Sequence, residues 1–270
     1  METTMLKFSR LGLMVCLLVA SPAASWVAAS PAAAAELTGQ QIVEQMLDKE
    51  AIGFSSGQVS MTLLVQDAGG ESRERRLTIR GMQEQGQLRA LVRVTAPAEV
   101  SGQAYLFREN AKGEDDFYVF MPALDDAPRR ISGSQKNGSF MGTHLSYSDL
   151  ESRDLKEGSY ARQADEKVGN ADCFRVEVKP KQRSAGQAAS TMVWVRKSDM
   201  MPLRVRYFDE KGAATKTLFV EQTAVSGGKS YVRRMTIRPA SGGSTTVVLD
   251  AVDFAVAPAA AEMTPQALAR

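Results

Sequence analysis

Very little in this 270-residue chain is equipped for covalent or metal chemistry. It has one histidine, His144, and two cysteines, Cys16 and Cys173. One His and one distant Cys offer no metal-ligand spacing, and no glycine-rich run has the form of a phosphate-cradling loop. The formal charge of +2 gives no bulk basicity of the kind that nucleic-acid binding requires. Long hydrophobic runs are scarce as well. Residues 11–20 (LGLMVCLLVA) form the one sustained apolar stretch, and it is too short to span a bilayer.

That stretch reads as an export signal. Lys7 and Arg10 precede it, an alanine-rich segment follows, and Ala33-Ala34-Ala35 supplies the small-x-small pattern that a signal peptidase reads. Cleavage is placed between Ala35 and Glu36 in preference to after Ala24. Cys16 is excluded as a lipid-modified first residue because it sits inside the apolar run behind Val15. Removing residues 1–35 leaves Cys173 alone, so no intrachain disulfide is expected and the exported protein must be held by its core. About 235 residues suffice for one large β domain. The expected division is a signal peptide over 1–35, one domain over 36–257, and a flexible Ala/Pro-rich tail over 258–270.

Residues 37–50 (LTGQQIVEQMLDKE) predict a helix. Thr38 and Gln41 have capping-box spacing, and Ile42, Val43, Met46 and Leu47 fall on one face. Short alternating strands follow. Val59, Met61, Leu63 and Val65 alternate with polar residues, as do Leu77 and Ile79, then Leu88, Ala90, Val92 and Val94, with Arg and Thr between them. This is the pattern of a sheet with one dry and one wet face. Tyr105 and Phe107 lie on one face of the next strand, Ala104 and Leu106 on the other, and residues 116–121 form its hairpin partner. From Ser159 the strands resume through Phe174, Val176 and Val178. In the hairpin 191–212, Met192 and Trp194 are expected on one face with Leu203, Val205 and Tyr207, and Arg204 and Arg206 on the other. Three more alternating runs, separated by Gly227-Gly228 and Gly242-Gly243, close the series. The fold class is therefore mainly β with few helices: an antiparallel meander of about eleven strands, strongly curved because wide sheets curl.

Residues 117–150 break this rhythm. An apolar strand ends at Pro122, a loop carries Arg129 and Arg130, and a Gly/Ser/Asn run leads to Ser139-Phe140-Met141-Gly142. Ser146-Tyr147-Ser148-Asp149-Leu150 then reads as one helical turn with Ser146 as its cap. Long interruptions of this kind are functional lids or disordered inserts. Phe140 and Met141, flanked by Gly138 and Gly142, are gate candidates. Ser139, His144 and Asp149 have the residue types of a catalytic triad, yet all come from one irregular segment with no strand–Ser–helix elbow around Ser139, and an enzyme is not expected.

The N-terminal amphipathic helix and the hairpin bearing Trp194, Val195, Pro202, Leu203, Tyr207, Asp209 and Gly212 resemble the LolA-like group of outer-membrane lipoprotein-sorting proteins. Residues 139–142 with 145–150 look like the branch found beside RND-type lipid exporters. The resemblance covers nearly all of the chain after the signal. It implies a half-open β-barrel with helices plugging a concave apolar face that carries an acyl chain or lipidated protein across the periplasm, with no cofactor and no catalysis. No equivalent of the arginine that locks the LolA lid is identifiable, so free lipid stands beside acylated lipoprotein as cargo. The apolar faces supply the candidate cargo residues: Met61, Leu63, Leu77, Ile79, Val92, Leu106, Phe117, Val119 and Met121, the lid residues Phe140, Met141, Leu145 and Tyr147, and Met192, Trp194, Val205, Tyr207 and Met235. Methionine suits a variable cargo because it repacks. The implied partners are an inner-membrane RND-type transporter and an outer-membrane acceptor, with no nucleic acid and the protein a monomer. A non-carrier subunit docking on the transporter is the alternative.

Overall fold

The computed structural model describes residues 36–49, 56–151, 153–181, 183 and 187–270. The expected export signal lies outside them. Thirteen strands form one antiparallel sheet: β1 (Gly57–Gln66), β2 (Ser72–Glu84), β3 (Gln87–Ala96), β4 (Ala104–Arg108), β5 (Asp116–Phe120), β6 (Arg129–Ile131), β7 (Gly158–Val168), β8 (Ala171–Pro180), β9 (Ser190–Arg196), β10 (Pro202–Phe208), β11 (Ala214–Ser226), β12 (Lys229–Pro239) and β13 (Ser244–Asp253). Two of these exceed the expected count. β6 is three residues long, too short to show alternation. β7 carries Arg162, Asp165, Glu166 and Lys167 and is bulged between Gln163 and Glu166, as suits an edge strand that must resist pairing with another chain.

The strand order is β6-β5-β4-β3-β2-β1-β13-β12-β11-β10-β9-β8-β7. The first and last strands pair in the middle, and the two open edges are β6 and β7, which are consecutive in sequence. Whatever connects them must cross the gap between the edges, and that connection is the interruption seen in the sequence.

Laid flat, thirteen strands would extend roughly 58 Å across at about 4.8 Å each. Yet Ile42 and Val43 of the helix, Leu63 of β1, Val119 of β5, Ile131 of β6, Val176 of β8 and Ile237 of β12 belong to one apolar cluster, so the sheet curls around it. The face toward this cluster is the inner face. Helix α1 (Gly39–Asp48) carries the predicted capping box, with Gln41 N donating to Thr38 Oγ1 (3.2 Å) and Thr38 N to Gln41 Oε1 (2.9 Å). Its Ile42, Val43 and Met46 are buried. Gly39 lets the helix approach the sheet, since a Cβ there would stand 3.1 Å from Arg162 N and 3.2 Å from Val176 Cγ1.

The C-terminal tail corrects the expectation of flexibility. Two 3-10 turns, Ala260–Glu262 and Pro265–Ala269, lie on the outer face of β3–β5. Met263 and Leu268 are buried against Leu91, Ala104 and Leu106, and Arg93 donates to the carbonyls of Ala267 (2.7 Å) and Leu268 (3.3 Å). Alanine and proline signal weak local structure, but two apolar anchors and two guanidinium bonds hold the tail.

Candidate functional site

On the inner face, alternation along β1–β5 and β12–β13 leaves a cavity of about 250 Å³. Val59, Met61, Ile79, Val92, Tyr105, Phe107, Phe117, Met235 and Leu249 are among its walls, and Phe140, Tyr147 and Leu150 close it from the lid side. An apolar space of about 150 Å³ already stays dry and admits benzene. This one is larger and almost wholly hydrocarbon-lined. Burial pushes the Tyr105 phenol up to about 12 and also raises Tyr147, so both rings stay neutral.

Four aromatic side chains bind lid to wall. Phe140 packs edge-on against Tyr105 (5.2 Å, 67°) and Tyr147 (5.6 Å, 83°), and Tyr147 packs edge-on against Phe117 (5.6 Å, 72°). To place Phe140 and Met141 on the inside, the backbone turns through left-handed values at Met141 (φ 55°) and Gly142 (φ 67°). Glycine adopts that conformation freely; methionine is held there because its side chain is buried. A Cβ at position 142 would lie 3.7 Å from the Arg75 guanidinium, which β2 carries beneath the lid. The turn is Ser148–Leu150 with Tyr147, not the expected Ser146, at its N-cap, yet Ser146 ties it down: Asp149 N donates to the Ser146 hydroxyl (3.3 Å), and Asp149 Oδ2 accepts from Ser146 N (2.7 Å).

The ends of the lid are joined by a buried ion pair. Lys136, 4% exposed, donates to Glu151 Oε1 (2.7 Å) and to the Asp115 carbonyl (2.8 Å). Burial raises the Glu151 carboxyl above its ordinary range, and the Lys136 ammonium opposes that rise. Lys136 was not legible as a site residue, because nothing local distinguishes it from a solvated lysine.

The opposite side of the lid lines a polar cleft of about 650 Å³ with Ser139, Thr143, His144, Ser146 and Asp149, facing Tyr207's neighbours Phe208–Lys211 and Lys216. The residues of the rejected triad all lie here, each engaged with a different partner. Ser139 Oγ donates to the Thr143 carbonyl, the His144 ring meets Thr245 Oγ1 (2.9 Å), and Asp149 pairs with Lys216.

Of the predicted cargo residues, Met61, Ile79, Val92, Leu106, Phe117, Phe140, Tyr147 and Met235 border the cavity. Leu106 packs chiefly with the outer cluster under the tail. Leu63, Leu77, Val119, Met141 and Val205 are inner-face core, with Met121, Leu145 and Tyr207 packed against them. Met192 and Trp194 stand on the other side of the sheet, which is a correction. A register shift between Pro202 and Arg204 sets Val193 opposite Val205 and Trp194 opposite Arg204, and Arg204 and Arg206 stack over the indole at 5.1 and 5.6 Å. Both residue sets of β9 are apolar, so alternation could not say which faced inward. Tyr105, Phe107 and Val59 line the cavity although only their strand faces had been read. Tyr231 and Leu249 also do so, and only assembly of the sheet brings them there.

The same arrangement of strands recurs in solved structures. A protein described as an outer-membrane lipoprotein-sorting domain from Vibrio parahaemolyticus superposes with a TM-score of 0.78 at 26% identity, over 86% of this chain and 98% of that one. A DUF1329 family protein from Desulfovibrio piger gives 0.77 at 26% identity, over 86% and 99%. A LolA superfamily protein from Nitrosomonas europaea shares the fold at 21% identity, with a TM-score of 0.66 over 85% and 98%. No curated protein matches the chain. A family model described as uncharacterized protein-like matches residues 86–270, and the chain belongs to that family, with the fold that the lipoprotein-sorting, DUF1329 and LolA superfamily structures above share.

Proposed function

We propose that this protein is a non-enzymatic periplasmic carrier that holds the hydrocarbon part of a lipid or lipidated protein in the inner-face cavity. It passes this cargo between an inner-membrane exporter of the RND type and the outer membrane. The observation that carries the reading is the cavity itself: about 250 Å³, walled by hydrocarbon and roofed by a segment whose aromatic side chains belong partly to the wall. Each methylene withdrawn from water contributes about 0.8 kcal/mol, so an acyl chain gains most from such a space. Ligand pockets are generally about 300–1,000 Å³. At about 250 Å³ the cavity falls below that range, and a full-length chain requires the lid to lift. The export signal read in residues 1–35 and the resemblance of residues 139–150 to exporter-associated proteins support the compartment and the partner. The described residues contain no helix long and apolar enough to cross a membrane.

The test is native mass spectrometry of protein purified from an exporting host, followed by solvent extraction and lipid analysis. A stoichiometric co-purified amphiphile is expected. A clean apo mass, with no uptake of added fatty acid or phospholipid, overturns the carrier and leaves a subunit that docks on the transporter without cargo.

A further inference from the structure

The polar cleft on the far side of the lid is larger than the apolar cavity, at about 650 Å³ against 250 Å³, and cargo chemistry alone does not call for it. The lid stands between the two spaces, with the continuous run Thr143–Ser146 lining the cleft. Phe140, Tyr147 and Leu150 face the cavity, while their neighbours Ser139, Ser146 and Asp149 face the cleft. A molecule with its chain in the cavity therefore has the cleft as its adjoining polar volume, across one thickness of lid.

The charges in the cleft are not equivalent. Asp209 is occupied by its own turn, accepting from Lys211 N (2.9 Å) and Ala213 N (2.8 Å), and Glu210 pairs with Arg183. Asp149 is different, because its carboxylate both holds the closing turn of the lid through Ser146 and pairs with Lys216 of β11. The Lys216 ammonium also lies over the Tyr207 ring, 5.1 Å from its centroid. That ring keeps the cation in place when its carboxylate partner is exchanged.

We infer that the cleft seats an anionic headgroup, a carboxylate or phosphate, which takes Lys216 in exchange for Asp149 and so frees the lid. The inference rests on the carrier reading and names the chemistry of its cargo. Asp149 and the incoming anion compete for one ammonium. Headgroup arrival and lid release are thereby a single event, and a chain without an anionic head opens the lid unaided.

The experiment is calorimetric titration of the purified protein with decanoate, decyl phosphate and the uncharged decyl glucoside, each below its micelle threshold, and with inorganic phosphate. The anionic amphiphiles are expected to bind about tenfold more tightly than the glucoside. Lys216→Gln removes that preference and, because it breaks the pair that holds the lid, tightens the glucoside toward the anionic probes, whereas Lys216→Arg keeps the preference. Asp149→Asn, which releases Lys216, tightens binding of the anionic probes by about fivefold. A merely structural role for Asp149 predicts the reverse, since the lid would be damaged for every ligand. Equal affinity for all three heads overturns the inference and leaves the carrier standing, and so does inorganic phosphate binding as tightly as decyl phosphate, which would make the cleft a site for free anions. Failure of every amphiphile to bind removes both readings.

Discussion

Lys136 and Glu151 show how much a single buried pair can govern. Each carries a charge that water would solvate better than protein, and the two are held 2.7 Å apart, with Glu114 also pairing with Lys136 at 3.2 Å and Gln187 donating to Glu151. A carboxyl whose folded pKa is raised takes up protons on folding, so its contribution is greatest below its ordinary value and is lost as pH climbs through the folded value. Burial raises Glu151 and Lys136 restrains it. Replacing Lys136 by Met removes the restraint, and the rise goes further. Urea denaturation is expected to show a small stability deficit for Lys136→Met at about pH 4.5, growing to about 3 kcal/mol at about pH 7.5. A deficit that shrinks with rising pH would mean that the pair does not hold the lid. In the sequence these two residues are fifteen positions apart amid polar neighbours, and no local pattern marks them; their meaning comes from Asp115 and Phe117 at the start of β5.

At the scale of the element, the lid was visible before the structure was. The alternation of the strands stops at Pro122, small and polar residues take over, and Phe140 and Met141 stand between two glycines. What could not be read is that this segment links the two edge strands, which follows from the pairing of β1 with β13. Its gate candidate was legible because a phenylalanine between glycines has no strand to pack in. Phe140→Ala deletes two edge-to-face contacts, with an expected loss of about 2 kcal/mol of stability. Stopped-flow uptake of a fluorescent fatty acid should also be faster, since the roof of the cavity loses its bulk. An unchanged uptake rate, with stability lowered as expected, would make Phe140 an anchor and not a gate.

For the molecule as a whole, the outer face is as informative as the inner. Part of it is covered by the chain's own tail, where Met263 and Leu268 shield Leu91, Ala104 and Leu106 and Arg80 pairs with Glu262. Deleting residues 258–270 is expected to lower the unfolding free energy by about 3 kcal/mol, the worth of re-exposing one or two large side chains. Amphiphile affinity should stay within about twofold of the full chain, because the tail and the cavity lie on opposite faces of the sheet. A large loss of affinity on truncation would show that the two faces are mechanically coupled.

The sequence by itself determined the helix with its cap, most of the strands with their dry and wet faces, and the place where the sheet is interrupted. Each of these is set by period, by turn residues and by contacts within a few positions. Tertiary structure decided which of two apolar faces of β9 turned inward, that the tail is held, and that Lys136 meets Glu151. It also decided that the cavity draws its walls from β1–β5 together with β12–β13. These depend on register and on closure of a thirteen-stranded sheet, where a shift of one residue exchanges inside for outside. No local pattern can carry that information, because both arrangements satisfy it equally well.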